Sequence, residues 1–177
     1  VSLRALDLFA GHGWGVAARS LDIQEHAVEI MKEANETRAL NGLSAPVFTD
    51  VWDGLLDEDV QVPEHELQIA SPPCQTFSLA GKGAGRKALD DVLRAMREKL
   101  YRDPQALYGL TAALDPRTAL VLSPLAYAYR YRPTYIVWEQ VPTVRPVWEA
   151  SADLLQMGGY STWTGLLNAE QYGVPQT

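Results

Sequence analysis

The apolar run from Arg4 to Phe9 (RALDLF) passes without a linker into Ala10-Gly11-His12-Gly13-Trp14-Gly15, and that juncture constrains the fold more than any other stretch. Six residues with this composition suit a strand. Three glycines at alternating positions let the backbone approach a ligand closely where side chains would obstruct it. Trp14 to Leu21 then has helical character, with Val16, Ala17 and Leu21 as an inner face. Strand, glycine turn and helix in this order form the nucleotide-binding opening of an α/β fold. The spacing is Gly-x-Gly-x-Gly rather than Gly-x-Gly-x-x-Gly, which turns the expectation from a nicotinamide cofactor toward S-adenosylmethionine.

A second strand is predicted at His26–Ile30, carrying Glu29 eighteen residues after Gly11. In such folds an acidic residue about 20 positions on accepts hydrogen bonds from ribose hydroxyls. Asp22 competes for that role but falls in the preceding turn, and Glu29 can also be read as an ordinary exposed carboxylate. Ile30 and Met31 offer apolar surface to an adenine. Lys32–Asn41 reads as a helix stopped at Asn41-Gly42. Pro46–Thr49 reads as a third short strand that delivers Asp50, whose carboxylate can accept from an adenine amino group. Asp57–Glu66 is an acidic surface loop. Leu67–Ala70 is a buried strand running into Ser71-Pro72-Pro73-Cys74-Gln75-Thr76-Phe77-Ser78, which holds the only cysteine of the chain. The two prolines stiffen the backbone ahead of the sulfur. Such a thiol is either a nucleophile or, as is commoner for an isolated cysteine, a small buried hydrophobe. In a parallel sheet Gly11, Glu29, Asp50 and Cys74 fall along the carboxyl edge, where ligands of α/β folds bind.

Leu79–Gly85 is a flexible basic loop. Arg86–Leu100 repeats Leu89, Leu93, Met96 and Leu100 at helical spacing, which assigns Met96 to the core. Tyr101–Asp115 gives no clear element. Pro116–Tyr131 reads as one helix that Pro124 kinks. Tyr135–Trp138 is a strand delivering Glu139-Gln140-Val141-Pro142 to the same edge. A helix follows at Val144–Met157, stopped by Gly158-Gly159, and a last strand at Ser161–Leu167 leads into Asn168–Gln176.

At 177 residues the chain suits one domain. One cysteine excludes an internal disulfide and a multi-cysteine zinc site, and fits a reducing cytosol. No metal site is expected. No apolar run approaches the ~20 residues of a membrane span, and no charged segment leads into an apolar one at the start. Val1 in first place implies a removed initiator methionine or a cut chain. The net charge of −7 is unevenly spread: residues 80–132 hold ten Lys/Arg against five Asp/Glu. A basic segment on an acidic body is what a polyanion partner asks for, or a solvated helix surface.

Four segments in order, DLFAGHGWG, SPPCQTFS, WEQV and EQYGVPQ, resemble the motifs of the DNA cytosine-C5 methyltransferases. The resemblance spans essentially the whole chain. It implies a Rossmann-like, mostly parallel twisted sheet with helices on both faces, residues 1–177 forming a catalytic domain cut before its target-recognition domain. It implies S-adenosylmethionine as methyl donor, leaving S-adenosylhomocysteine, with contacts from Asp7, Phe9, Ala10, Gly11, Gly13, Trp14, Gly15, Glu29, Ile30, Asp50, Val51 and Pro72. Cys74 becomes the nucleophile that adds to cytosine C6, and Glu139 the acid that meets N3 and the exocyclic amine. Gln75 and Ser78 orient the loop, while Lys82, Arg86 and Lys87 grip phosphates of double-stranded DNA. The implied setting is modification of DNA beside a restriction enzyme, in the cytoplasm of a prokaryote or phage host. Three departures stand out: Gln140 follows the acid where the family has Asn, Trp14 interrupts Gly-x-Gly-Gly, and Thr177 precedes the arginines expected to reach the cytosine. The chain is therefore expected to be inactive without a further C-terminal region or second subunit. A tRNA cytosine-C5 methyltransferase and a non-catalytic cofactor- or DNA-binding remnant are the alternatives.

Overall fold

The computed structural model describes residues 2–73 and 84–175, with backbone alone at 84–86. Cys74, Gln75, Ser78 and Lys82, and the Arg86 side chain, lie outside the described residues. Four strands, β1 (Arg4–Leu8), β2 (Gln24–Val28), β3 (Leu67–Ala70) and β4 (Tyr135–Trp138), form one sheet in the order β2-β1-β3-β4, every pair parallel. Helices α1 (Gly13–Ser20) and α2 (Lys32–Leu40) follow β1 and β2, and the short α3 (Asp53–Leu56) precedes β3. Then come α4 (Ala84–Arg97), α5 (Pro104–Ala113), α6 (Pro116–Leu120), α7 (Ser123–Tyr131) and, after β4, α8 (Arg145–Met157). The class is the expected Rossmann-like α/β.

Strand alternation divides the interior in two. Leu6, Leu8, Val28 and Ala70 join Val92, Met96, Leu122, Leu125, Ala126, Tyr127, Val144 and Val147 in the main core, beneath the later helices. Ala5, Leu67 and Ile69 build a smaller cluster on the opposite face, covered by Leu3, Trp14 and Ile23. That second face stays open over β4, where Tyr135 and Val137 are exposed. Met96 is in the core, as its helical spacing implies.

Four expectations are corrected and one unassigned stretch is filled. The inner face of α1 is Gly15 and Ala18, with Val16, Ala17 and Leu21 exposed. The strand at Pro46–Thr49 shrinks to a single parallel bridge between Val28 and Phe48, with the Val47 N–H on the Ala27 carbonyl. Pro46 has no N–H to give to a ladder, and the chain turns toward α3 two residues past Thr49. Helix α7 holds the segment that follows: the hydroxyls of Tyr127 and Tyr131 donate to the carbonyls of Val51 and Gly54, and Arg130 donates to that of Leu55. The helix at Pro116–Tyr131 is two helices, with Asp115 capping α6 and Pro124 in the first turn of α7, where its missing N–H costs nothing. The unassigned stretch after Tyr101 holds α5, capped by the Asp103 carboxylate on the N–H groups of Gln105 and Ala106. Ser161–Leu167 is not a strand in the described residues, and Trp163, Leu166 and Leu167 face solvent.

Gly54 is the point where α3 meets α7. A β-carbon there would collide with the Tyr127 hydroxyl and stand 2.9 Å from the Phe48 ring. Gly109, in α5, has nothing within 4 Å. Helix propensity alone favours alanine at both by up to about 1 kcal/mol. Overpacking at Gly54 outweighs that, so Gly54→Ala should lose about 2 kcal/mol in urea denaturation while Gly109→Ala is neutral or stabilising. Equal effects at the two positions would contradict the α3–α7 contact.

Candidate functional site

In the parallel ladder Leu8 stands opposite both Val28 and Ala70, and Ala70 opposite Trp138. All four strands thus end on one row. The next residues, Phe9, Glu29, Ser71 and Glu139, leave the sheet along one edge, spanning roughly 14 Å at the usual strand spacing. The row is kept in step past its end by Ala10 N–H on Val28, Ser71 N–H on Leu8 and Glu139 N–H on Ala70.

The first turn after β1 is tightly wound. Phe9 has φ +62° and Gly11 φ +48°, a left-handed region that suits glycine and burdens phenylalanine. The Phe9 ring is half-buried against the main core, which holds the residue there. Glu29, almost fully buried, accepts from the Gly11 N–H at 2.8 Å and the Met31 N–H at 2.7 Å. It therefore ties the glycine turn to the start of α2. A carboxylate has about four acceptor positions, so two remain for a ligand. Asn35 reaches back from α2 to the Glu29 carbonyl. Ile30 and Met31 are exposed beside this carboxylate. Among the described residues, a β-carbon on Gly11 or Gly13 would meet nothing within 4 Å, so both face open space there. Gly15 does other work: a β-carbon there would lie 2.7 Å from the Glu25 carboxylate and 2.9 Å from Leu43. Its place is helix–strand packing.

Beneath the turn lies a buried charged cluster. Arg38, 1% exposed, makes a two-pronged pair with Glu25, at 3.1 and 2.7 Å, and also donates to the carbonyls of Gly11 and Ser44. Asp7 is fully buried on the same sheet face as Glu25, and among the described residues neither of its oxygens finds a donor. Burial, then the neighbouring Glu25 carboxylate, to which a protonated Asp7 can donate, raises its pKa from 3.8 to about 8. Asp7 thus sits under the turn rather than on its open side.

At the other end of the row, Trp14 lays its ring on the smaller cluster and donates its indole N–H to Ser71 Oγ at 2.8 Å. The Gln140 side-chain amide donates to the Pro72 carbonyl, and its oxygen accepts from the Val141 N–H at 2.6 Å. The segment leading to Cys74 is thus held from β1's turn and from β4's end. Glu139 is exposed next to Gln140. Asp50 accepts from the Trp52 N–H at 3.0 Å, while the Val51 side chain is buried in the core. Ala10 and Pro72 are likewise buried, and Lys87 is exposed in the first turn of α4.

Sequence reasoning passed over Arg38, Glu25, Tyr127 and the role of Ser71. No local pattern marks Arg38, because α2 inverts the usual rule: Arg38 is its one fully buried side chain while Leu40 is 89% exposed.

The raised Asp7 pKa gives a signed pH effect. Between the ordinary carboxyl value and about 8 the folded state keeps a proton that the unfolded chain has released. Asp7's contribution is therefore full in acid and lost as pH rises through that window. Asp7→Asn, which keeps a donor toward Glu25, should flatten the fall in stability over roughly pH 5–8 relative to wild type. Identical pH slopes for the two proteins would contradict the assignment.

The family described as C-5 cytosine-specific DNA methylase matches residues 3–103. The chain is similar to the type II methyltransferase M.BanI of Aneurinibacillus aneurinilyticus, 28% identical across 99% of this chain and 36% of that protein. It is similar to the type II methyltransferase M.HgiCII of Herpetosiphon aurantiacus, 26% identical across 98% of this chain and 35% of that protein. The DNA (cytosine-5)-methyltransferase PliMCI of Paracentrotus lividus is 27% identical across 99% of this chain and 11% of its own length. The chain spans about a third of the length of the two type II relatives. With the matched region holding β1 through α4 and the whole glycine turn, the chain belongs to the C-5 cytosine-specific DNA methylase family.

Proposed function

We propose that the protein is an S-adenosylmethionine-dependent DNA cytosine-C5 methyltransferase, that residues 1–177 belong to its catalytic domain, and that Cys74 and Glu139 carry the chemistry. The observation that carries this reading is the shared row of strand ends. It sets the open glycine turn and the Glu29 carboxylate on one side, and the Ser71-Pro72-Pro73 approach to Cys74 and Glu139 on the other. The names of the relatives, type II and cytosine-5 methyltransferases, agree with it.

The residues fit an adenosyl cofactor. Gly11 and Gly13 leave room at the backbone, Glu29 keeps acceptor capacity for ribose hydroxyls, and Ile30 and Met31 expose apolar surface for an adenine. Asp50, at the end of the Phe48 bridge, has an oxygen beyond the one on Trp52 with which to accept from an adenine amino group. Phe9, Ala10, Val51 and Pro72 then shape the site from within, while Gly15 and Trp14 act by packing α1 on the sheet and Asp7 through the turn above it. The bound cofactor supplies an electrophilic methyl group.

Cytosine C5 is a poor nucleophile. Addition of the Cys74 thiolate to C6 forms a C–S bond and pushes an electron pair toward C5, which splits one difficult step into two easier ones. Electron density arriving on the ring is relieved by a proton that Glu139 shares with N3, and its second oxygen accepts from the exocyclic amine. After C5 has taken the methyl group, the C5 proton passes to a base, the C–S bond breaks and Cys74 leaves. A free thiol has a pKa of about 8.5, so nearby positive charge favours the reactive thiolate. Lys82, Arg86 and Lys87 supply positive charge for the phosphates of DNA from which the target base is flipped. Gln75 and Ser78 orient the segment 79–85. We assign the protein to DNA modification in a prokaryotic or phage-infected cytoplasm. No described helix is long and apolar enough to cross a membrane.

In the full-length protein, Cys74→Ala should abolish both methyl transfer and the covalent complex with DNA containing 5-fluorocytosine. Glu139→Gln should lower the rate at least ~100-fold, as general-acid loss does. An adduct that survives Cys74→Ala on a denaturing gel would refute the assignment.

A further inference from the structure

The sequence Ser71-Pro72-Pro73-Cys74 poses a backbone problem. Prolines carry no N–H, so between Ser71 and Cys74 the chain has nothing to donate to a neighbour. It can be fixed only through the Ser71 N–H, the Ser71 hydroxyl and the carbonyls. Among the described residues three such holds are present. The Ser71 N–H continues the ladder onto Leu8, the Gln140 amide takes the Pro72 carbonyl, and the Trp14 indole N–H takes Ser71 Oγ at 2.8 Å. Of these, the Trp14 bond is the one that originates in the glycine turn. An indole N–H is a donor only, so the direction of that bond is fixed and the serine hydroxyl must accept. The ring is anchored independently, half-buried on Ala5, Leu67 and Ile69.

We propose that Trp14 is a positioning residue: through Ser71 it makes the cofactor turn and the start of the nucleophile segment one mechanical unit. The proposal deepens the proposed function and rests on it, since it concerns the same Cys74. Trp14 directly follows Gly13, which faces open space, in a turn already braced by Glu29 and Arg38. The brace therefore extends without a break from α2 to the residue three before the nucleophile.

The test uses the full-length protein and two variants that keep the packing. Trp14→Phe retains a ring on the small cluster and removes the N–H; Ser71→Ala removes the acceptor. Each should lower kcat for methyl transfer about tenfold, as small misplacement of a reacting group does, with the dissociation constant for S-adenosylmethionine changed less than about threefold. The double variant should be no slower than either single one, because both remove the same bond. Ser71→Thr, which keeps a hydroxyl, should restore most of the rate. In 15N-tryptophan-labelled protein, Ser71→Ala should also shift one indole resonance, that of Trp14, and speed its hydrogen exchange. Additive losses in the double variant, wild-type kcat in Trp14→Phe, or a loss confined to cofactor affinity would each overturn the proposal. Those outcomes leave the proposed function standing if Cys74→Ala is still dead and wild type still traps 5-fluorocytosine; a wild type that traps nothing removes both.

Discussion

Leu8 of β1 cannot slip by one residue against Val28 and Ala70 without turning Leu6 and Leu8 out of the main core and Ala5 and Asp7 into it. The period of two in a strand makes register an all-or-none choice wherever one face is buried. Because every pair is parallel, a fixed register also fixes where the strands stop. Phe9, Glu29, Ser71 and Glu139 emerge side by side for that reason and no other. The site is a consequence of the ladder, and the loops refine it.

Two kinds of hold do the refining. On the side of the glycine turn they are ionic and buried: Glu25 and Arg38 form a pair with 1% of Arg38 exposed, and Arg38 extends it to the Gly11 carbonyl. Removing a guanidinium from water costs several kcal/mol, and close two-pronged geometry with further carbonyl acceptors is what offsets it. Past the end of β3 the holds are neutral hydrogen bonds onto a proline-stiffened segment, from Trp14 and Gln140. At both of these positions the sequence departs from the resembled family's pattern. A longer amide at Gln140 reaches Pro72, and an indole at Trp14 reaches Ser71, so both departures act on adjacent residues of one segment.

The parallel α/β class, all four strands and the edge bearing Gly11, Glu29 and Glu139 were legible because apolar runs of strand length ended in residues with chemistry to offer. Boundaries shifted by a residue or two, as at β2, which runs Gln24–Val28 rather than His26–Ile30. The strand at Pro46–Thr49 was misread because its apolar character serves packing near α3, where Phe48 lies against Gly54, and its ladder is a single bridge to Val28. No local pattern announces a carbonyl that a hydroxyl seventy-six residues away will satisfy. Arg38 and Glu25 escaped notice for a related reason: charged residues read as surface, and only their mutual distance makes them interior. Gly15 looked like part of a ligand cradle by spacing, whereas its missing side chain makes room for Glu25.

The most direct test of the account is the chemical identity of the transferred methyl. The full-length protein would be incubated with isotopically labelled S-adenosylmethionine and double-stranded DNA, and the digested nucleosides separated by mass spectrometry. Label in 5-methylcytosine is the predicted result. Label in N4-methylcytosine or N6-methyladenine, or transfer to tRNA with none to DNA, would contradict the reading of this sheet edge as a DNA cytosine-C5 site.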